Sequence, residues 1–285
     1  MAAVAEVHHL TYGWFSPVAA YVAAFLGMLL GLVCAARARD ATVRRRRIRW
    51  LVLAGAAIGG GTVWLMTFMA MLGFDVPASR VRYDPFITIA SLALAVVAVC
   101  LGLLTVCLGR RRVLKVLLGG VGTGLGLAVT HYTGLLGLHV GGRISYDLEL
   151  VGISVLIAVV TTTLTLWLSV TLRSWRLMMV AAAVLAAGMV GMHYTAMAAL
   201  QVHLFTSPTP VEGVSSFVLI VPITLLTAAG LIATAFSALQ AMTEEEFARD
   251  DFQLNRTPPR ARTHAETPFE LRGTVNGDAL VVRRH

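Results

Sequence analysis

The amino-acid sequence predicts an all-α integral membrane protein, with seven transmembrane helices built on repeated helical hairpins. Three observations predict it. The 285 residues are 57% hydrophobic and only 13% charged, with a mean hydropathy of +0.78, whereas soluble domains carry about 25% charged residues. Seven apolar stretches are each long enough to cross a hydrocarbon core, which takes about 20 residues of helix. The arginines gather in alternate connections between those stretches.

The stretches cover roughly residues 17–36, 49–72, 86–108, 113–138, 150–172, 176–200 and 215–239. Helix is the element expected for each, because a backbone in hydrocarbon must satisfy its own polar groups. Small residues such as Gly119, Gly120, Gly122, Gly124 and Gly126 in the fourth stretch should let neighbouring helices approach closely. The triplet Gly59-Gly60-Gly61 lies inside an apolar run and reads as helix packing, not as a phosphate loop.

Orientation follows from charge. The first connection holds Arg37, Arg39, Arg44, Arg45, Arg46, Arg47 and Arg49, the third Arg110, Arg111, Arg112 and Lys115, and the fifth Arg173 and Arg176. The even connections hold only Arg80, Arg82 and Arg143. Cytoplasmic loops are enriched in Lys and Arg, so the N-terminus is expected outside and the C-terminus in the cytoplasm. The first sixteen residues carry no Lys or Arg. They read as an extracellular segment ahead of a retained helix, not as a signal peptide. Residues 17–239 form the expected membrane domain. Residues 240–285, with Glu244-Glu245-Glu246 and Pro258-Pro259, lack a sustained apolar period and read as a mostly disordered cytoplasmic tail.

The net charge of +8 is placed to orient helices, and the Arg44–Arg47 run suits anionic lipid heads. No nucleic-acid partner is expected. Lys115 is the lone lysine, a bias typical of GC-rich bacterial genomes. Cys34, Cys100 and Cys107 form neither a disulfide framework nor a metal-site spacing. The expected location is the bacterial plasma membrane. The bilayer is the first partner, and the pattern leaves room for a cytoplasmic signalling partner and for homo-oligomers.

The chain repeats with a period of 62–64 residues, one helical hairpin. The second stretch ends Trp64-Leu65-Met66-Thr67-Phe68-Met69-Ala70-Met71, the fourth Thr130-His131-Tyr132-Thr133-Gly134-Leu135, and the sixth Met192-His193-Tyr194-Thr195-Ala196-Met197. Tyr83-Asp84 and Ser91 after the first copy match Tyr146-Asp147 and Ser154 after the second. These Tyr residues are expected as interfacial anchors. Asp75, Asp84, Asp147 and Glu149 are expected to pair with Arg80, Arg82 and Arg143 and so cap helix ends.

Ionisable residues within membrane helices are costly and mark function, which singles out His131 and His193. His193 lies about seven residues from the expected end of its helix, about 10 Å deep at 1.5 Å per residue. Met189, His193 and Met197 share one helix face at i, i+4, i+8. A thioether–imidazole–thioether stripe suits a soft ion such as Cu(I). The same residues also serve as packing: Met fills cores, and a membrane His can hydrogen-bond a carbonyl, Tyr132 or Tyr194 across helices.

With Met192-His193-Tyr194-Thr195 complete, Thr130-His131-Tyr132-Thr133 lacking the Met, and Met66-Thr67-Phe68-Met69 lacking both His and Tyr, the sequence resembles the MHYT family of bacterial integral membrane sensor domains over roughly residues 14–240. That resemblance implies copper binding through Met and His near the outer membrane face, and through copper the sensing of oxygen, carbon monoxide or nitric oxide. No nucleophile–base pair or acidic pair appears within the membrane part, so no enzyme activity is expected. Thr67 replaces the first His and Leu135 the second copy's second Met, so a three-histidine site cannot form. The expected metal ligands are His131, His193, Met192, Met197, Met189, Met66 and Met71, with His8, His9, His139 and His203 as supplements. The functional reading is a membrane sensor or signalling module. Its alternative is copper handling or transport, for which the mostly Ala, Val, Leu and Gly inner halves of the motif helices offer no polar path.

Overall fold

The computed structural model describes residues 7–8, 11–77, 79–108, 113–205 and 211–215, with isolated positions between 218 and 236. Six helices are long and apolar enough to span a membrane: α1 (Phe15–Asp40), α2 (Arg44–Met71), α3 (Pro85–Cys107), α4 (Val113–Leu136), α5 (Leu148–Thr171) and α6 (Trp175–Ala198). The expected count of seven is therefore met to six. Most of the seventh stretch lies outside the described residues, and the positions described within it, such as Val221, Leu225 and Ile232, are helical. The expected tail beyond residue 240 also lies outside them.

The fold is that of a multi-pass membrane protein, apolar on the outside as well as in the core. Along α4, Leu114, Leu117, Leu118, Val121, Leu125 and Val129 face outward, while Thr123, Thr130 and His131 are buried. An apolar exterior is stable only against lipid. The buried hydroxyls spend their protons on backbone, as Thr165 donates to the Thr161 carbonyl at 2.8 Å and Thr130 to that of Gly126 at 2.9 Å.

Each helix packs on the next, and α6 packs back on α1 to close a ring. Small residues set the close approaches. A Cβ at Gly27 of α1 would lie 2.5 Å from the Thr62 amide nitrogen of α2, and one at Gly120 of α4 would lie 2.6 Å from Thr163 Cα of α5. The expectation for the fourth stretch holds for Gly119, Gly120, Gly124 and Gly126, whereas Gly122 faces open space. Within α2, residues Ala57–Leu65 form a wholly buried π-helical segment, a rare geometry that tends to mark functional sites. Its Thr62 hydroxyl donates to the Ala24 carbonyl of α1 at 3.1 Å.

The hairpins are closed at one end by short strands that the sequence did not announce. Strand β1 (Arg82–Tyr83) precedes α3 and pairs with β2 (Leu138–His139), which follows α4. Strand β3 (Gly142–Tyr146) precedes α5 and pairs with β4 (Leu200–Leu204), which follows α6. Ahead of α1, His8 pairs backbone to backbone with Asp75 beyond α2. A further strand, β5 (Val214–Ser215), lies on the other side of β1. The three ties repeat in detail: Thr11, Asp84 and Asp147 donate their amides to the carbonyls of Gly73, Gly137 and Ala199 at 3.0, 2.9 and 2.9 Å.

Two sequence expectations change here. Asp84 and Asp147 cap helices through backbone amides, not ion pairs: Asp84 accepts from Phe86 and Ile87 at 2.8 and 3.1 Å, and Asp147 from Glu149 and Leu150 at 2.9 and 3.3 Å. A carboxylate at this position satisfies amides that the first helical turn leaves unpaired. Tyr83 and Tyr146, expected as interfacial anchors, turn to the rings of the preceding motif. Tyr83 is buried and lies 6.5 Å from Phe68, while Tyr146 meets Tyr132 edge-on at 5.7 Å. Both copies thus set the loop tyrosine against the aromatic residue of the preceding motif.

Candidate metal centre beneath the strand cap

The even helices bring their motif ends together under the cap. His131 and His193 each sit five residues before the last residue of their helix, Leu136 and Ala198, so they lie at matched depth. Helix α6 ends at Ala198 because Leu200 begins β4. His193 is therefore about 7.5 Å from the helix end at 1.5 Å per residue, shallower than expected. The two imidazoles meet edge to face, with ring centroids 5.1 Å apart at 88°. Each also lies edge-on to the tyrosine that follows it, at 5.5 Å for Tyr132 and 5.3 Å for Tyr194.

Both histidines are buried, His131 at 4% exposure and His193 at 1%. Neither ring nitrogen of His131 meets a protein hydrogen-bond partner. An unpaired polar group in the interior is costly, so an imidazole left open on both nitrogens is what a ligand-binding histidine would look like.

The methionines fall into two layers. Met66, Met189 and Met192 belong to the main core. Met71 and Met197 join Leu135 in a smaller cluster beneath the cap, so the equivalent position of all three repeats converges there. Leu135 keeps the cluster apolar where a thioether would have stood. Met189 and Met197 flank His193 at i−4 and i+4, and all three side chains are buried, which places the expected stripe on the inward face.

The first copy contributes differently. Thr67 donates its hydroxyl to the Val63 carbonyl at 2.8 Å. Phe68 has no hydroxyl to offer, and the indole of Trp64, one turn earlier, donates to Ser91 at 3.1 Å. In the second copy the Tyr132 hydroxyl meets Ser154 at 2.9 Å. A cavity of about 30 Å³ opens beside this region, lined among others by Trp64, Thr67, Met71, Ser91, Thr130 and His131. Trp64 and Thr67 were not singled out as site residues from the sequence, and the serine repeat was the signal that could have found Trp64.

Of the supplementary histidines, His8 and His139 are exposed on the cap, and His203 bonds Ser145 across β3 and β4 at 3.0 Å. His9 lies outside the described residues. Among the described residues no three His, Cys, Asp or Glu side chains come together to hold a metal ion. A metal here would therefore take two imidazoles and thioether sulfurs, a soft neutral set that fits Cu(I) better than a hard divalent ion.

Comparison with known proteins adds the following. The model of the MHYT family, described as a bacterial signalling protein N-terminal repeat, matches residues 60–120 and 124–182. The chain is 36% identical over 196 residues to the bifunctional diguanylate cyclase/cyclic di-GMP phosphodiesterase MucR of Pseudomonas aeruginosa, covering 67% of this chain and 27% of the relative. It is 32% identical over 199 residues to the cyclic di-GMP phosphodiesterase NbdA of the same organism, covering 68% and 25%. An uncharacterized signaling protein of Caulobacter vibrioides is 32% identical over 156 residues, covering 55% and 19%. The matched region thus spans about a quarter or less of each relative's length. No solved structure matches the chain.

Proposed function

Since the chain belongs to the MHYT family of bacterial signalling proteins, we propose that its six described helices form a membrane sensor module that binds copper beneath the strand cap. The observation that carries this reading is the buried contact between His131 and His193, 5.1 Å centroid to centroid, contributed by two copies of one repeat. A ligand held between α4 and α6 bears on helices that are not neighbours in the ring, so it can bias how the bundle packs. His131 and His193 would supply imidazole nitrogen, with Met189, Met192, Met197, Met66 and Met71 as the thioether candidates. When bound, Cu(I) supplies a soft Lewis-acid centre that takes oxygen, carbon monoxide or nitric oxide as a further ligand.

The names of the relatives support cyclic di-GMP signalling as the context. In this reading the capped end faces outward, the arginine-rich connections face the cytoplasm, and the readout passes to a cytoplasmic signalling partner. The membrane domain senses and does not catalyse.

Copper analysis of the purified chain beside a His131→Ala/His193→Ala double variant tests the reading. Copper retained by the wild type and lost from the variant is the expected result. Equal and negligible copper in both would sink it and leave the histidines as packing residues. Protease access to a C-terminal tag in intact cells tests the orientation, and cleavage from outside would reverse it.

A further inference from the structure

The cavity beside His131 lies where the first repeat has lost its histidine. Thr67 occupies the position that His131 and His193 hold in their copies, and the shorter side chain faces a space of about 30 Å³ shared with His131. That volume exceeds the roughly 10–15 Å³ a single water needs.

The lining is rich in acceptors. Five hydroxyls border the cavity, those of Thr67, Tyr83, Thr88, Ser91 and Thr130, and the four aliphatic ones have already given their protons to their own helices: Thr67 to Val63 at 2.8 Å, Thr88 to Asp84 at 2.7 Å, Ser91 to Thr88 at 2.7 Å and Thr130 to Gly126 at 2.9 Å. The Trp64 indole is likewise spent, on Ser91 at 3.1 Å. What remains on these groups is acceptor lone pairs. His131 is 4% exposed, and both of its nitrogens lack a protein partner. A neutral imidazole can donate from one nitrogen and accept at the other.

We infer that this cavity is a binding position for one small neutral molecule that donates protons, of the size and chemistry of water, held between His131 and Thr67 in place of the missing histidine. A water donates to the threonine oxygen and exchanges one bond with the imidazole, so it answers both the acceptor-rich lining and the open ring. An anion would meet mostly acceptor oxygens. A diatomic gas has no proton for these oxygens and would find its affinity elsewhere. The inference does not need copper, since the lining and the open imidazole belong to the polypeptide.

The test is water-to-imidazole polarisation transfer by magic-angle-spinning NMR. It uses the full chain in lipid with labelled histidine, with copper content measured in the same sample. The His131 signal is identified by its loss in a His131→Asn variant. Wild type is expected to show fast transfer to His131. Thr67→Leu, which fills the space, should slow it several-fold, and the near-isosteric Thr67→Val, which removes the acceptor, should slow it less. Transfer as slow in wild type as in Thr67→Leu, or unchanged by both variants, would overturn the inference. If Thr67→Leu does not fold, Thr67→Val decides alone, and no slowing there counts against it. Failure of the copper reading shows separately, as absent copper in the wild type.

Discussion

The indole of Trp64 reaches Ser91 at 3.1 Å and so does for the first repeat what the Tyr132 hydroxyl does for the second at Ser154. One link between a motif helix and the helix that follows it is thus kept by two different side chains, offset by a turn. The substitution of Phe68 for the motif tyrosine is offset by Trp64.

Trp64→Phe should therefore destabilise the bundle by more than Tyr132→Phe. The first change removes a buried donor and leaves a space, whereas a neutral hydrogen bond alone contributes about 0.5–1.5 kcal/mol. Combining Trp64→Phe with Ser91→Ala in a double-mutant cycle, read by thermal unfolding in detergent, should show coupling. Strict additivity would remove the link.

The two aspartate caps make a paired test. Asp84→Ala and Asp147→Ala should each cost about 0.5–2 kcal/mol, the usual cost of losing an N-cap. Asp→Asn at either site should restore most of it, because the cap accepts from amides and Asn retains an oxygen. Melting temperatures of the four single variants check this. A failure of Asn to rescue would mean that charge, not capping, is what matters.

Packing should discriminate among glycines on the same kinds of helix. Gly27→Ala and Gly120→Ala place a Cβ within 2.5 and 2.6 Å of backbone atoms on the neighbouring helix, and overpacking of this kind costs about 1–3 kcal/mol. Gly122→Ala meets nothing within 4 Å and should be neutral or stabilising through its better helix propensity. Unfolding curves that rank the three alike would contradict the described packing.

Alkaline pH gives a further prediction. Burial, with a smaller contribution from Tyr132, raises the Tyr146 phenol above its ordinary value of 10.0. The folded state then holds this proton more tightly than the unfolded chain does. The stability it adds is fully present below the unfolded value and is lost as pH rises through the folded one. Tyr146→Phe should flatten the decline of melting temperature above about pH 10, the ordinary tyrosine value. An unchanged slope would place the alkaline transition elsewhere.

The spans and the hairpin period were legible because each rests on many residues: some twenty apolar positions per helix, and motif copies that agree at several sites. Depth and pairing of His131 and His193 followed from the repeat, since equal registers put equal residues at equal heights. The cap was not legible. Strands of two residues carry no alternation to read, and Arg82 finds His139 only once α3 and α4 have brought their ends together. The Asp roles were misread for a related reason, as Arg80, Arg82 and Arg143 are near in sequence while the amides of Phe86 and Leu150 are nearer in space. The π-helical turn at Gly59-Gly60-Gly61 was visible only as small residues. The loss of the first histidine was plain at Thr67, but the cavity beside it depends on the neighbouring helices.

Because the His8–Asp75, β1–β2 and β3–β4 pairings each tie a hairpin to itself, the ring is assembled from pieces that each finish locally. Three such pieces emerge in order during synthesis, and each can be sealed before its successor has been made. The meeting of α1 with α6, where the Tyr21 hydroxyl reaches the Ala183 carbonyl at 3.2 Å, is the main join of the first piece to the last, beside smaller contacts of α1 with α5 and of α2 with α6. That junction is the seam of the ring, and it can shut only after α6 has been made.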